Sequence, residues 1–224
     1  MPARIMSRDR MLDAQLGRVK PLSPRASGGR CRRQRAAPIT AGSEEAAMDV
    51  DTAIRDRRTV GVFSDRPVLP EIVEELIEAA RWAPNHKHTE PWRFHVVSGQ
   101  AREEMCEAIL AGGGEFAKDP RGKLLRSPTF IAVTQQAVLD DPIRDREDYA
   151  AVCCAVQNMM LAATSRGLAS KWSTGALAEN AAAKRWLGIG EQDRIVAYLY
   201  VGYPPEDMRE MPAERRPAHV VWRG

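Results

Sequence analysis

Residues 149–167, YAAVCCAVQNMMLAATSRG, constrain this chain more than any other stretch. No charged side chain occurs from Tyr149 to Thr164, and Gln157 and Asn158 are the strongly polar residues in that run. Val152, Cys153, Val156, Met159, Met160 and Leu161 fall at every helical angle. A surface helix keeps a polar face, whereas a helix apolar all round is buried on all sides. At 1.5 Å per residue the segment spans about 27 Å, close to the width of a small domain. Gly167 is placed to stop it, as a glycine just past a helix end commonly does. Gln157, Asn158 and Ser165 interrupt it too often for a membrane span. One chain could bury such a helix, but a second chain packed on it would do so more easily, so a dimer core is expected.

The chain has 224 residues, enough for one domain and a tail. Its overall charge of +3 hides two unlike parts. Residues 1–47 carry ten Lys and Arg against four Asp and Glu, a net +6, while the other 177 carry 23 against 26, a net −3. The first part is rich in Arg, Pro, Gly, Ser and Ala without a sustained apolar period, the composition of a disordered basic tail. No apolar segment follows Arg32 and Arg33, as a secretory signal would require. Asp9 and Asp13 fit an organelle transit peptide poorly. No aromatic residue is interleaved to stack on nucleic acid. A misplaced translation start, with Met48 as the true first residue, is a further reading. The domain is therefore expected over 48–224, with no membrane or nucleic-acid partner. Cys31, Cys106, Cys153 and Cys154 lack metal-ligand spacing, which suits reduced thiols in a cytoplasmic protein.

Along the domain, DTAIRDRR reads as a short helix running into Thr59. LPEIVEELIEAARWA is amphipathic, with Pro70 and three acids near its start and Ile72, Val73, Leu76, Ile77 and Ala80 as its buried stripe. Residues 92–98 alternate as a strand, 100–110 form a helix, TFIAVTQQ suits a buried strand, and 140–148 read as a charged loop before the central helix. A helix over 179–187 ends at Gly188. RIVAYLYVG at 194–202 is the strongest strand signal, and HVVW near the C-terminus could add a short edge strand. Helices interleaved with three or more strands give an α+β or α/β sheet protein.

Several chemistries lack their motifs. There is no GxSxG elbow, no GxGxxG fingerprint and no GxxxxGK[ST] loop. His86-Lys87-His88 has no third spaced ligand for a metal. Three segments remain. Arg57, Arg58 and Thr59 set two guanidiniums and a hydroxyl at a helix-to-loop junction, the donor set of a phosphate clamp, though arginines at a helix end also serve as solvated charge. RWAPNHKHTEPW packs two Trp, two His, Asn and Thr after a helix, which suits a flat heterocycle, or else a loop anchored in the core by Trp82 and Trp92. KWSTG puts Trp172, Ser173, Thr174 and Gly175 at a strand end.

In this order, AIRDRRTVGVFSDRPV, ELIEAARWAPNHKHTEPWRFHVV, AVQNMMLAATSRGLASKWSTGAL and IVAYLYVGYP resemble the nitroreductase family of FMN-dependent oxidoreductases, over about residues 48–203. HKHTEPW looks closest to its small, single-domain NAD(P)H-dependent subgroup. The resemblance implies an α+β sandwich, a central mixed or antiparallel sheet flanked by helices, in an intertwined homodimer with a flavin at each end of the interface. It implies that Arg57, Arg58 and Thr59 hold the FMN phosphate and ribityl chain. Trp82 and His86 would reach the flavin from the partner chain, and Trp172, Ser173 and Thr174 would line its ring system. A C-terminal basic residue, here Arg223, would add a phosphate contact. The implied activity passes a hydride from NAD(P)H to a nitroaromatic or quinone by a ping-pong route. A flavin-binding or flavin-consuming protein without that turnover is the alternative. No catalytic side chain and no metal are assigned, although His86 or His88 could donate a proton near the ring. Thr59 stands where relatives usually have Ser, and Asn85, His86 and Lys87 stand where many have Ser and Gly.

Overall fold

β2 (Thr129–Gln135) is buried along its whole length, as its nearly unbroken apolar run demands. A computed structural model describes residues 48–112, 120–206 and 215–223 of the chain, and the expected disordered tail lies outside them. β2 pairs on one side with β1 (Trp92–Ser98) and on the other with β4 (Arg194–Gly202), and β3 (Ala169–Ser173) joins the far side of β4. All three pairings are antiparallel, with Phe94 opposite Val133, and Ile131 and Trp172 both opposite Leu199. Where β2 and β4 shift register after Val133, Val196 is the extra residue. Its carbonyl, displaced from the ladder, accepts the indole N–H of Trp172 at 3.0 Å.

Helices cover both faces. On one lie α2 (Pro70–Arg81) and α5 (Pro142–Thr164), packing Val73, Leu76, Val152, Val156 and Met159 against Ile131, Val133, Leu199 and Val201. Short α1 (Val50–Asp56) leads into the sheet edge. On the other face α3 (Ala101–Ala111), α4 (Arg121–Leu124) and α6 (Ala181–Leu187) enclose Phe130, Tyr198 and Tyr200. Phe130 meets Tyr198 edge-on at 5.7 Å between centroids. The architecture is the expected α+β sandwich.

α5 differs from its sequence reading at both its start and its outer face. The helix begins at Pro142, so most of the charged stretch expected as a loop is helical. Asp141 caps it by accepting from the amides of Ile143 and Arg144 at 3.2 and 3.0 Å, and Pro142 supplies a preset first turn. Two of the acids in the first turns, Asp145 and Asp148, are tied down. Asp145 accepts from Gln135 at 2.9 Å, from the Val138 amide at 3.1 Å and from Arg194 at 2.6 Å. Ala151, Val152, Ala155, Val156, Met159, Met160 and Ala163 face the chain's own core. Tyr149, Ala150, Cys154 and Gln157 are exposed, and Cys153 and Leu161 are half-buried. The chain therefore buries only part of a helix that the sequence makes apolar all round. Gly167, at φ +69°, ends the helical run, and the amide of Leu168 reaches back to the Ala163 carbonyl at 2.9 Å.

HVVW forms no strand. His219, Val220, Val221 and Trp222 are exposed, Trp222 by 90%. The outer edge of β3, where an added strand could have paired, is taken by Thr59, which bridges Ser170. No helix among the described residues is long and apolar enough to cross a membrane.

Candidate functional site

The chain leaves α1 through Arg57, its C-cap, and turns extended. Thr59 then bridges Ser170 in parallel, and the Val60 amide donates to the Ser170 carbonyl at 3.1 Å. This short pairing lays Arg57, Arg58 and Thr59 along the same strand that ends in Trp172 and Ser173, with Thr174 next in the chain. Two segments more than a hundred residues apart thus meet at one sheet edge. Backbone pairing between residues 59–60 and Ser170 is what joins them.

The Arg58 guanidinium donates to the carbonyls of Arg55 and Arg57, the latter at 3.0 Å, which fixes it against the C-terminal end of α1. Arg58 and Arg215 line a cavity of about 380 Å³ together with Ile54, Arg55 and Asp56. Burial, then the nearby charges of Arg215 and Arg58, hold the Arg57 guanidinium below its usual value. Arg55, Arg58 and Arg215 share the cavity lining with the Asp56 carboxylate, and a phosphate would match the forked geometry of the guanidiniums. Arg215 was missed in the sequence. It lies far along the chain in a Pro-rich stretch, and only the folded backbone brings it to α1. Arg215 and Arg223, the basic residue favoured by resemblance, are both exposed, but Arg223 does not line this cavity.

Trp172 is half-buried, with its N–H committed to Val196 and its ring against the core beneath α5. Ser173 is half-buried and Thr174 exposed, so both hydroxyls remain near the surface.

Trp82 and His86 lie elsewhere. Their loop leads into β1, on the opposite edge of the sheet from β3. Three strand spacings of about 4.8 Å put those edges roughly 14 Å apart. The two tryptophans of the loop differ in burial. Trp92 is the core anchor, 5% exposed, whereas Trp82 is 80% exposed and donates to Glu78 at 3.2 Å. His86, Lys87 and His88 form an exposed 3₁₀ turn. Lys87, His88 and Glu90 have φ of 52°, 54° and 42°, a left-handed backbone costing non-glycine residues on the order of 1 kcal/mol each. Asn85 closes the loop, accepting from the Glu90 amide at 3.1 Å and donating to the Ala83 carbonyl at 3.2 Å. Thr89 donates to Asp148 of α5 at 2.6 Å. Among the described residues, no group of three or more His, Cys, Asp or Glu is placed to hold a metal ion.

An antiparallel sheet between helical layers carries arginines beside one edge strand and an aromatic–imidazole loop at the opposite edge, the frame of an α+β protein. The chain belongs to the nitroreductase family, whose model matches residues 54–203. It is 31% identical over 163 residues to the "Putative NAD(P)H nitroreductase YdjA" of Escherichia coli (strain K12), covering 70% of this chain and 89% of that one. It is 30% identical over 162 residues to the "Putative NAD(P)H nitroreductase YfhC" of Bacillus subtilis (strain 168), covering 68% and 83%. The crystal structure of a nitroreductase-like family protein from Bacillus cereus superimposes with a TM-score of 0.70 at 31% identity, over 80% of this chain and 99% of that one. A nitroreductase structure from Desulfovibrio desulfuricans, described as in complex with FMN, matches with a TM-score of 0.59 at 27% identity, over 77% and 94%.

Proposed function

We propose that this chain is an FMN-dependent NAD(P)H oxidoreductase acting as a homodimer on electron-poor acceptors such as nitroaromatics and quinones. The observation that carries this reading is the pairing of Thr59 with Ser170, which sets the arginine cradle alongside Trp172, Ser173 and Thr174. When bound, FMN supplies the redox chemistry, accepting a hydride from NAD(P)H and passing the electrons on. Arg57, Arg58 and Arg215 hold its phosphate, and the Thr59 hydroxyl lies beside them. Ser173 and Thr174 line the ring system. The Trp172 indole, fixed on Val196, holds the end of β3 in place for them. Trp82 and His86 border the site of the partner chain, which reconciles their place at the far edge with a shared site. The outward face of α5, with Tyr149, Ala150, Cys154 and Gln157, forms the seam between copies.

The chain carries no dinucleotide-binding fingerprint, so the nicotinamide and the acceptor share one slot. Ping-pong kinetics are expected, with parallel double-reciprocal plots against NAD(P)H at several quinone concentrations, and excess acceptor competing with NAD(P)H. Intersecting lines would defeat the shared slot. A yellow protein that neither nucleotide bleaches under anaerobic conditions would defeat the reductase reading and favour a flavin-binding role.

Residues 1–47 are proposed to be dispensable. Their composition buries too little apolar surface to offset the entropy of ordering them. A chain beginning at Met48 is expected to keep its flavin content and melting temperature. Melting several degrees lower would show that the tail packs on the domain.

A further inference from the structure

We propose that Asp148 and Thr89 form a latch that positions the His86–His88 turn for its part in the site. The proposal rests on the functional reading above, in which that turn borders the flavin. Asp148 is 2% exposed, the one charged side chain among the buried residues of α5. One oxygen accepts the Thr89 hydroxyl at 2.6 Å, and the other faces the Arg144 guanidinium at 3.7 Å. A buried carboxylate is costly unless its partners are well placed, so its position is tightly held by them. Thr89 sits between His88 and Glu90, two of the three left-handed residues in the loop. None of those three is glycine, so the backbone does not adopt this shape by preference. Such a conformation persists only where its surroundings over-determine it. Three side chains provide that constraint, Arg93 among them by donating to the Glu90 carbonyl at 3.2 Å. Asn85 closes the loop from within, and Asp148 fixes its middle to α5. Helix α5 also carries the exposed face assigned to the dimer seam. The latch therefore ties the His86 turn to the element that meets the partner.

Thr89→Val removes the hydroxyl at nearly constant volume, Thr89→Ser restores it, and Asp148→Asn keeps an acceptor without the charge. Lys87 is exposed, so trypsin cleavage after it reports the loop's order directly. In FMN-saturated protein, Thr89→Val is expected to speed that cleavage roughly tenfold, the equivalent of one charge-assisted hydrogen bond. It is also expected to raise the FMN dissociation constant or the KM for NAD(P)H by a similar factor while kcat changes little. Thr89→Ser should restore both readouts, and Asp148→Asn should fall between. Unchanged cleavage in Thr89→Val would overturn the latch. So would Thr89→Ser behaving like Thr89→Val. Faster cleavage with unaltered FMN affinity and KM would overturn the positioning role. If the unmodified protein takes up no FMN and oxidises no NAD(P)H, the functional reading has failed. Cleavage measured without FMN then decides the latch on its own.

Discussion

Arg57→Ala combined with Arg215→Ala is expected to yield a folded but colourless protein. Each charge-assisted hydrogen bond to a phosphate oxygen contributes about 1.5–3 kcal/mol. Losing two should weaken FMN by roughly two to four orders of magnitude, less any coupling between the neighbouring arginines. Riboflavin has no phosphate, so its affinity should be nearly the same in the variant and the parent. The paired comparison therefore isolates the anion contact from general damage to the pocket. Arg223→Ala, by contrast, should keep its colour, because Arg223 does not line the cavity that Arg58 and Arg215 share. Flavin fluorescence titrations test the comparison, and circular dichroism shows that each variant is folded. A double variant that still discriminates FMN from riboflavin as strongly as the parent would refute the cradle.

The elements that became clear from sequence were those whose signal is local. The continuous apolar run of β2, the Pro70 start and acidic first turn of α2, and Gly167 and Gly188 as helix stops all appear where their residues imply. The start of α5 was readable but misread. Asp141 followed by Pro142 is a capping signal, masked by the charges behind it, which the fold spends on Gln135, Val138, Arg194 and Thr89. HVVW has the composition of a strand, yet pairing needs a free edge, and Thr59 already occupies the outer side of β3. The candidate site divides in the same way. Arg57, Arg58 and Thr59 announce themselves by adjacency, and Trp172, Ser173 and Thr174 by following the buried helix. Arg215 and the Thr89–Asp148 bond have no local pattern, because each joins residues far apart in sequence through the folded backbone. Trp82 and His86 show a further limit. Their residue types suggest a ligand, but one chain places them at the sheet edge opposite the cradle.

That separation makes α5 the place where folding and function can be pulled apart, using Val156→Asp and Cys154→Asp. The sequence puts both residues on one apolar helix, but the structure separates them. Val156 is fully buried in the chain's own core, packed with α2 and the sheet, whereas Cys154 faces outward. Aspartate at 156 places an unpaired carboxylate in that core, a loss of about 3–5 kcal/mol or more. Domains are stabilised by roughly 5–15 kcal/mol in total, so Val156→Asp is expected to be largely unfolded or aggregated, and added FMN should not restore it. Aspartate at 154 should cost a lone chain within about 0.5 kcal/mol, as an exposed substitution does. In the proposed dimer it sets a carboxylate from each copy in the seam. Cys154→Asp is therefore expected to give native circular dichroism, half the parent's mass in size-exclusion chromatography, and lost flavin. The flavin loss follows because Trp82 and His86 of one copy no longer reach the cradle of the other. Raising the protein concentration should recover dimer and colour together, by mass action. A Cys154→Asp protein that stays dimeric and fully loaded would remove α5 from the interface. An unmodified protein that runs as a flavin-loaded monomer would show that a single chain completes the site, despite the distance between its two sheet edges.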